Sequence, residues 1–412
     1  MLMVGLKRVV ITGIGGVSAL GDDWATISDN FLNNRSGIRY MHEWDRFTDL
    51  NTRLGGPLND FTVPAHWTRK QLRSMGPVSQ YVVYAAERAL DDAGLLGEPS
   101  IQDGRMGVAC GSSTGSPQEA KNFANMLLNS VSHGLNANTY VRMMPHTTAA
   151  NISIFFGLKG RVIPTSSACT SGSQGIGYAY EAIKFGCIPM MLAGGGEELC
   201  ATEAMVFDAL YATSLKNDTP TKTPQPYDVD RDGLVIGEGA GIFVLEELEH
   251  ALARGAHIYA EIVGFGSNAD GSHITKPEKN TMRIAMELAL QDAQLPASAI
   301  GYVNGHGTAT DSGDIAETQA TSELFGEQMP ISSQKSFLGH TLGACGALES
   351  WFSIQMMNSD TYIHTLNLNN VDSRCGALDY LTAPRQMQNE YVMNNNFAFG
   401  GINTSLVFKR WS

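Results

Sequence analysis

With 412 residues, 43% of them hydrophobic and 17% charged, the chain can bury two or three cores, and its composition excludes intrinsic disorder, collagen-like repeats and coiled coil. Set against 41 Asp and Glu, its 28 Lys and Arg leave a net charge of −13, which excludes whole-surface attraction to nucleic acid or to an anionic membrane. Six cysteines without a Cys-x-x-Cys pair argue against structural zinc and a disulfide framework. No leader pattern or apolar run of the roughly 20 residues of a membrane span stands out, so the expected setting is cytoplasmic, without membrane or nucleic-acid partners.

Along the chain, apolar β-branched runs alternate with helix-period segments. The first run, Arg8–Gly15, precedes a helical stretch at Gln80–Ala93 with Val82, Ala85, Ala86, Ala89 and Leu90 on one face. Further buried strands are expected at Arg105–Ala109, Arg161–Pro164, Met190–Ala193, Gly241–Leu245, Ala260–Gly264, Ile300–Val303 and Tyr391–Asn395. Helices are expected at Gly172–Lys184 and Lys279–Gln291. The order of signals occurs twice: a strand running into paired glycines at Val9–Gly15 and Glu261–Gly266, then strand–turn–helix at Val162–Gly177 and Ile331–Glu349. The fold class is therefore α/β with duplicated halves, 1–256 and 257–412, joined through an ordered surface loop at Thr213–Asp232.

Four blocks could carry chemistry. In TSSACTSG, Cys169 falls on a strand-to-helix turn, where a helix N-terminus favours thiolate over thiol. The other five cysteines have no such setting. In NGHGTATDSGD, His306 stands between glycines, and Thr308 and Thr310 offer hydroxyls to a polar, amide-bearing arm. In KSFLGHTLGACGALE, His340 stands in a second Gly-flanked turn. In NNNFAFGGIN, paired glycines follow Phe399 and can aim backbone N–H groups at a developing anion. One thiol with two imidazoles suits an acyl group carried on sulfur and an enolate made by losing carbon dioxide from a malonyl group. A protease-like Cys-His pair would leave the second histidine unused.

These blocks, with PYDVDRDGLVIGEGAG at Pro226–Gly241, resemble the elongating β-ketoacyl-acyl-carrier-protein synthases, and the resemblance spans Val9 to Lys409. It implies the thiolase fold, two halves in five α-β-α-β-α layers. It makes Cys169 the acyl acceptor, His306 and His340 the decarboxylating pair, Lys335 their supporting lysine and Glu349 a structural acid. The N–H groups of Cys169 and Phe399 would form the oxyanion hole, and Thr308 and Thr310 would hold phosphopantetheine. The resemblance calls for no metal and no dissociable cofactor. It calls for acyl-carrier protein as partner, met by a cationic cluster at Arg69, Lys70 and Arg73, and for a homodimer or a heterodimer with a related chain lacking the nucleophile. A chain-length-factor-like subunit, which binds and shapes the acyl chain for another synthase, is the alternative; the presence of Cys169 discriminates against it. The chain departs from the housekeeping pattern at Asp311–Asp314, at Ala398–Asn403 and after the nucleophile at Thr170–Gly172, changes that bear on the acyl substrate rather than on the chemistry.

Overall fold

The computed structural model describes residues 5–58 and 61–412; the start of the chain, Met1–Val4, on which the reading of the N-terminus partly rests, lies outside the described residues. The strands used below are β1 (Val9–Ser18), β2 (Met106–Gly111), β3 (Val162–Pro164), β4 (Met190–Glu197), β5 (Gly239–Glu247), β6 (Ala260–Ala269), β7 (Ile300–Asn304), β8 (Pro330–Ser332), β9 (Asp379–Tyr380), β10 (Tyr391–Ala398) and β11 (Ile402–Arg410). The helices are α1 (Pro77–Asp92), α2 (Pro117–Asn129), α3 (Thr147–Phe156), α4 (Ser171–Lys184), α5 (Ala201–Asp208), α6 (Lys279–Ala293), α7 (Asp311–Phe325) and α8 (Cys345–Ser359).

Strand order shows the duplication directly. The first half runs β1-β5-β4-β2-β3 and the second β6-β11-β10-β7-β8, with β9 added at the far edge. Each half has two antiparallel pairings followed by two parallel ones. The halves join where Val9–Ile11 of β1 pairs antiparallel with Ala260–Ile262 of β6. Helices α1 and α3 cover one outer face, α6 and α7 the other, and α4 and α8 pack between the two sheets and against each other. That is the five-layer arrangement of the thiolase fold. Because α4 and α8 meet sheet on two sides, they are buried nearly all round and rich in small residues.

The paired glycines of β1 and β6 have one physical cause. A Cβ at Gly13 or Gly15 would collide with the carbonyl oxygens of Ala89 and Ala85 of α1, and one at Gly264 or Gly266 with those of Ala289 and Ala285 of α6. Each outer helix thus lies on the first strand of its half, backbone against backbone, through alanines spaced four apart.

Two expectations change. Val162–Pro164 is not a buried strand but an edge strand: among the described residues β3 pairs only with β2, and Val162 is 43% exposed. The Thr213–Asp232 loop does not stay on the surface, since Thr223–Asp228 is buried, with Tyr227 N–H donating to Asp314 Oδ2 at 2.7 Å. No helix among the described residues is long and apolar enough to cross a membrane.

Gly15→Ala and Gly266→Ala are expected to destabilise the protein to a similar degree, by about 1–3 kcal/mol each, because both overpack the same kind of backbone contact. The midpoint of denaturant unfolding measures this; wild-type stability in either variant would contradict the contact.

Candidate active site

Cys169 and His340 occupy equivalent places in the two halves, on the β3–α4 and β8–α8 turns, and the packing of α4 against α8 brings them together. Ala168, just before the nucleophile, takes a left-handed φ of +51°. Hydroxyls brace this strained turn: Ser171 Oγ donates to Ala168 C=O at 2.7 Å, and Thr170 Oγ1 to Ser167 C=O at 2.8 Å. His306 leaves the end of β7, and Phe399 lies between β10 and β11. Cys169, His306, His340, Thr308, Thr310 and Phe399 all line one cavity of about 230 Å³. Phe207 packs at a tilt against Phe399 in its wall, ring centroids 5.1 Å apart.

The hydrogen bonds fix the protonation state of both imidazoles. Lys335 Nζ lies 3.1 Å from His306 Nδ1 and is ion-paired with Glu349 Oε1; Glu349 Oε2 in turn accepts from Asn396 Nδ2 at 2.8 Å. An ammonium can only donate, so His306 Nδ1 accepts and the neutral ring carries its proton on Nε2. Leu342, held at φ +45°, donates its N–H to His340 Nδ1 at 3.3 Å, which again leaves the proton on Nε2, 3.0 Å from Cys169 Sγ. Burial, reinforced by the charge of Lys335, holds both histidines well below the ordinary imidazole value, so both are neutral. Burial also works against the Lys335 ammonium, but Glu349, with Cys345 and Glu317, holds the group above its ordinary value.

Around the sulfur the expectation from sequence is corrected. Cys169 lies two residues ahead of α4, and burial pushes its thiol up to about 11 although Lys335 and the N–H groups of Phe399 and Cys169 favour the anion. The same N–H groups are placed to receive an oxyanion formed beside the sulfur.

Two buried carboxylates missed in the sequence hold the histidine turns. Glu317 of α7 accepts the N–H groups of His306 and of Gly307, the latter at 2.7 Å, and burial brings it up to about 7. Glu197, at the end of β4, accepts from Gly343 N–H at 3.0 Å, Ser113 N–H at 2.8 Å and Ser112 Oγ at 2.6 Å, tying the turn after His340 to the first half. Only their position after a Gly-rich strand exit hinted at them. Cys345, set aside with the other cysteines, begins α8 and donates to Cys169 C=O at 3.2 Å. Arg69, Lys70 and Arg73 lie apart from the cavity, exposed on a single helical turn at Arg69–Leu72 and its end.

Two groups of possible metal ligands cluster here, Cys169 with His306 and His340, and His306 with Cys345 and Glu349. Neither fits an ion. A ligating histidine offers a lone pair and donates its other N–H to an acceptor, whereas both Nδ1 atoms here face donors. In the second group the Lys335 ammonium already bridges His306 and Glu349.

A buried thiol ringed by N–H donors, on a duplicated thiolase scaffold, defines an acyltransferase that works through a thioester. The chain matches the family model "Beta-ketoacyl synthase, N-terminal domain" over residues 6–251 and "Beta-ketoacyl synthase, C-terminal domain" over 259–369. It is 39% identical to 3-oxoacyl-acyl-carrier-protein synthase 2 of Vibrio cholerae, covering 98% of this chain and 99% of the relative. It is 38% identical to 3-oxoacyl-acyl-carrier-protein synthase 1 of Escherichia coli, covering 98% and 99%. The crystal structure of a β-ketoacyl synthase from Burkholderia phymatum superposes with a TM-score of 0.98 at 59% identity, covering 99% of this chain and all of the other. The chain belongs to the β-ketoacyl synthase family of condensing acyltransferases.

Alkylation of Cys169 by iodoacetamide is expected to accelerate about tenfold per pH unit from about pH 7 upward, because a raised thiol pKa keeps the thiolate fraction small until the pH approaches it. A rate already level near neutrality would mean a preformed thiolate.

Proposed function

We propose that this enzyme elongates an acyl chain by decarboxylative condensation with malonyl-acyl-carrier protein, giving 3-oxoacyl-acyl-carrier protein. The observation that carries the reading is the pair of neutral imidazoles, both with Nδ1 committed to accepting, beside one buried thiol. Cys169 sulfur attacks the acyl thioester carbonyl, the oxyanion rests on the N–H groups of Cys169 and Phe399, and the carrier thiol leaves with the cysteine's proton. A malonyl thioester then enters. Its carboxylate leaves as carbon dioxide, and the bond electrons form an enolate whose oxygen takes hydrogen bonds from the Nε2–H groups of His306 and His340. The enolate carbon attacks the acyl-Cys169 carbonyl and expels the thiolate. No dissociable cofactor or metal enters this scheme; Thr308 and Thr310, whose hydroxyls are 2.9 Å apart in the cavity wall, hold the amides of the substrate's phosphopantetheine. Lys335 acts through His306, and Glu349 through Lys335.

Of the positions that depart from the housekeeping pattern, Ala398 lines this cavity. It supports a specialised, polyketide- or polyene-type acyl chain over the saturated chains of fatty acid synthesis. A chain-length-factor role is not favoured, since nucleophile and histidines stand together in one chain. Arg69, Lys70 and Arg73 supply a local cationic patch for the carrier on a protein of net charge −13.

The reading is tested by intact mass, with peptide mapping to locate the adduct, after incubation with saturated and conjugated acyl-carrier proteins. An adduct on Cys169, larger with the conjugated chain, is expected; adduct on another cysteine would sink the assignment. Cys169→Gln should lose condensation yet still decarboxylate malonyl-carrier protein, and His340→Ala should lose decarboxylation by about 10²-fold or more.

We also propose that a second copy, or a related chain lacking the nucleophile, covers the β3 edge. The edge strand is unpaired on its outer side, Val162 and Ile154 of neighbouring α3 are exposed, and α2 buries none of its residues while showing Leu127 and Leu128 at 78% and 81% exposure. Light scattering is expected to give twice the chain mass of 44.4 kDa for the protein alone if it pairs with itself; a monomer would leave only the heterodimer.

A further inference from the structure

Thr310 stands immediately before α7, where a threonine ordinarily caps the helix through a hydroxyl that accepts an N–H of the first turn. Here it makes no such bond. Its Oγ1 instead meets Thr308 Oγ1 at 2.9 Å in the wall of the Cys169 cavity. One hydroxyl donating to the other leaves the pair a free O–H and unused lone pairs, which suits an amide that presents both C=O and N–H. Forgoing the cap leaves N–H groups of α7 without an acceptor, so the hydroxyl's place in the cavity needs another cause.

Two features supply it. Gly313, in the first turn of α7, lies under the hydroxyl: a Cβ there would come within 2.4 Å of Thr310 Oγ1. The space that the missing Cβ leaves is the space the hydroxyl uses. Arg231, from the PYDVDRDG block, fixes the backbone. Its side chain is 2% exposed and all three of its nitrogens are engaged. Nε donates to Thr310 C=O at 3.4 Å, Nη2 to Asp311 C=O at 3.1 Å, and Nη1 to Asp228 C=O at 2.8 Å and Asp372 Oδ2 at 2.7 Å. Asp311, one of the departures from the housekeeping pattern, adds a carboxylate that pairs with Arg231 at 3.4 Å and with Arg374 at 2.5 Å. On the other side Ala309, at φ +65°, donates its N–H to Asp314 Oδ1 at 3.1 Å. Thr310 thus sits between two fastened stretches of backbone.

We propose that Arg231 and Gly313 are positioning residues for the phosphopantetheine arm, keeping the Thr310 hydroxyl off the helix end and turned to the substrate's amides. The proposal rests on the reading of function above. Arg231 is spent on its own chain and acts through the Thr310 backbone; Gly313 acts through the room it leaves. The arm is then selected by its amides, whatever acyl group it carries.

The test compares acylation of Cys169 by hexanoyl-pantetheine, which carries two amides, with acylation by S-ethyl thiohexanoate, which carries none, both followed by intact mass. Gly313→Ala is expected to raise KM for the pantetheine thioester about 10-fold and to leave the limiting rate of acylation where it was, as the loss of a hydrogen bond made equally before and during reaction should. The rate with the ethyl thioester should not move. The thermal midpoint should hold or rise, because alanine is the better helix former. Arg231→Lys keeps a charge beside Asp372 but loses the fork that holds the carbonyls, so it should raise the same KM and spare the ethyl thioester. The proposal is overturned if Gly313→Ala leaves KM for the pantetheine thioester at its wild-type value, or if it slows both thioesters alike, as a merely structural change would. Wild-type protein acylated by neither thioester would instead overturn the functional reading, and the positioning role with it.

Discussion

The buried ammonium of Lys335, paired with Glu349 and aimed at His306 Nδ1, sets the chemical state of the groups around it. It fixes the tautomer of His306, it opposes protonation of both imidazoles, and it favours charge on the Cys169 sulfur against the cost of burial. A site of this kind needs imidazoles that donate without being cations, since an imidazolium beside the sulfur would pair with it and be lost to the enolate. A fixed positive charge one bond behind the ring achieves that at any pH where the lysine is charged. Leu342, with its strained backbone gripped through Gly343 by Glu197, does the same for His340 with a peptide dipole in place of a charge.

The scaffold explains why one half supplies the thiol and the other both histidines. Topologically equivalent turns, β3–α4 and β8–α8, face each other across the middle layer, so a nucleophile on one meets a donor on the other. The close approach depends on small residues: Gly172 lies against Gly343 and Ala347, and Gly346 against Ser173. Outside the middle layer the glycine-to-alanine contacts of β1 with α1 and of β6 with α6 repeat almost atom for atom, which holds both sheets at the same distance from their covering helices.

Much of this was legible in the sequence. Strand and helix signals located the elements of both halves, and the paired glycines in ITGIG and IVGFG marked the duplication because the same backbone contact is made twice. Cys169, His306, His340 and Phe399 stood out since each lies in a turn flanked by small residues. Glu317 and Glu197 did not: a carboxylate that accepts backbone N–H groups is identified by what folds over it, and its partners are far off in sequence. The elevated Cys169 thiol escaped for a related reason, since a turn's position shows the nearby helix end but not the burial that raises the thiol. Val162–Pro164 read as a core strand because composition cannot distinguish the edge of a sheet from its middle.

With both Nδ1 atoms already accepting, what faces the cavity beside Cys169 is a set of protons: two imidazole N–H groups and two peptide N–H groups. A guest that lodges there must bring lone pairs in at least two places and has no need of hydrogens to give. Thioester and malonyl carbonyls meet that requirement, whereas an ammonium brings only protons and has no lone pair for those four donors. Selection among acyl donors would then begin with the sense of the hydrogen bond, before chain length or shape is read by the apolar walls.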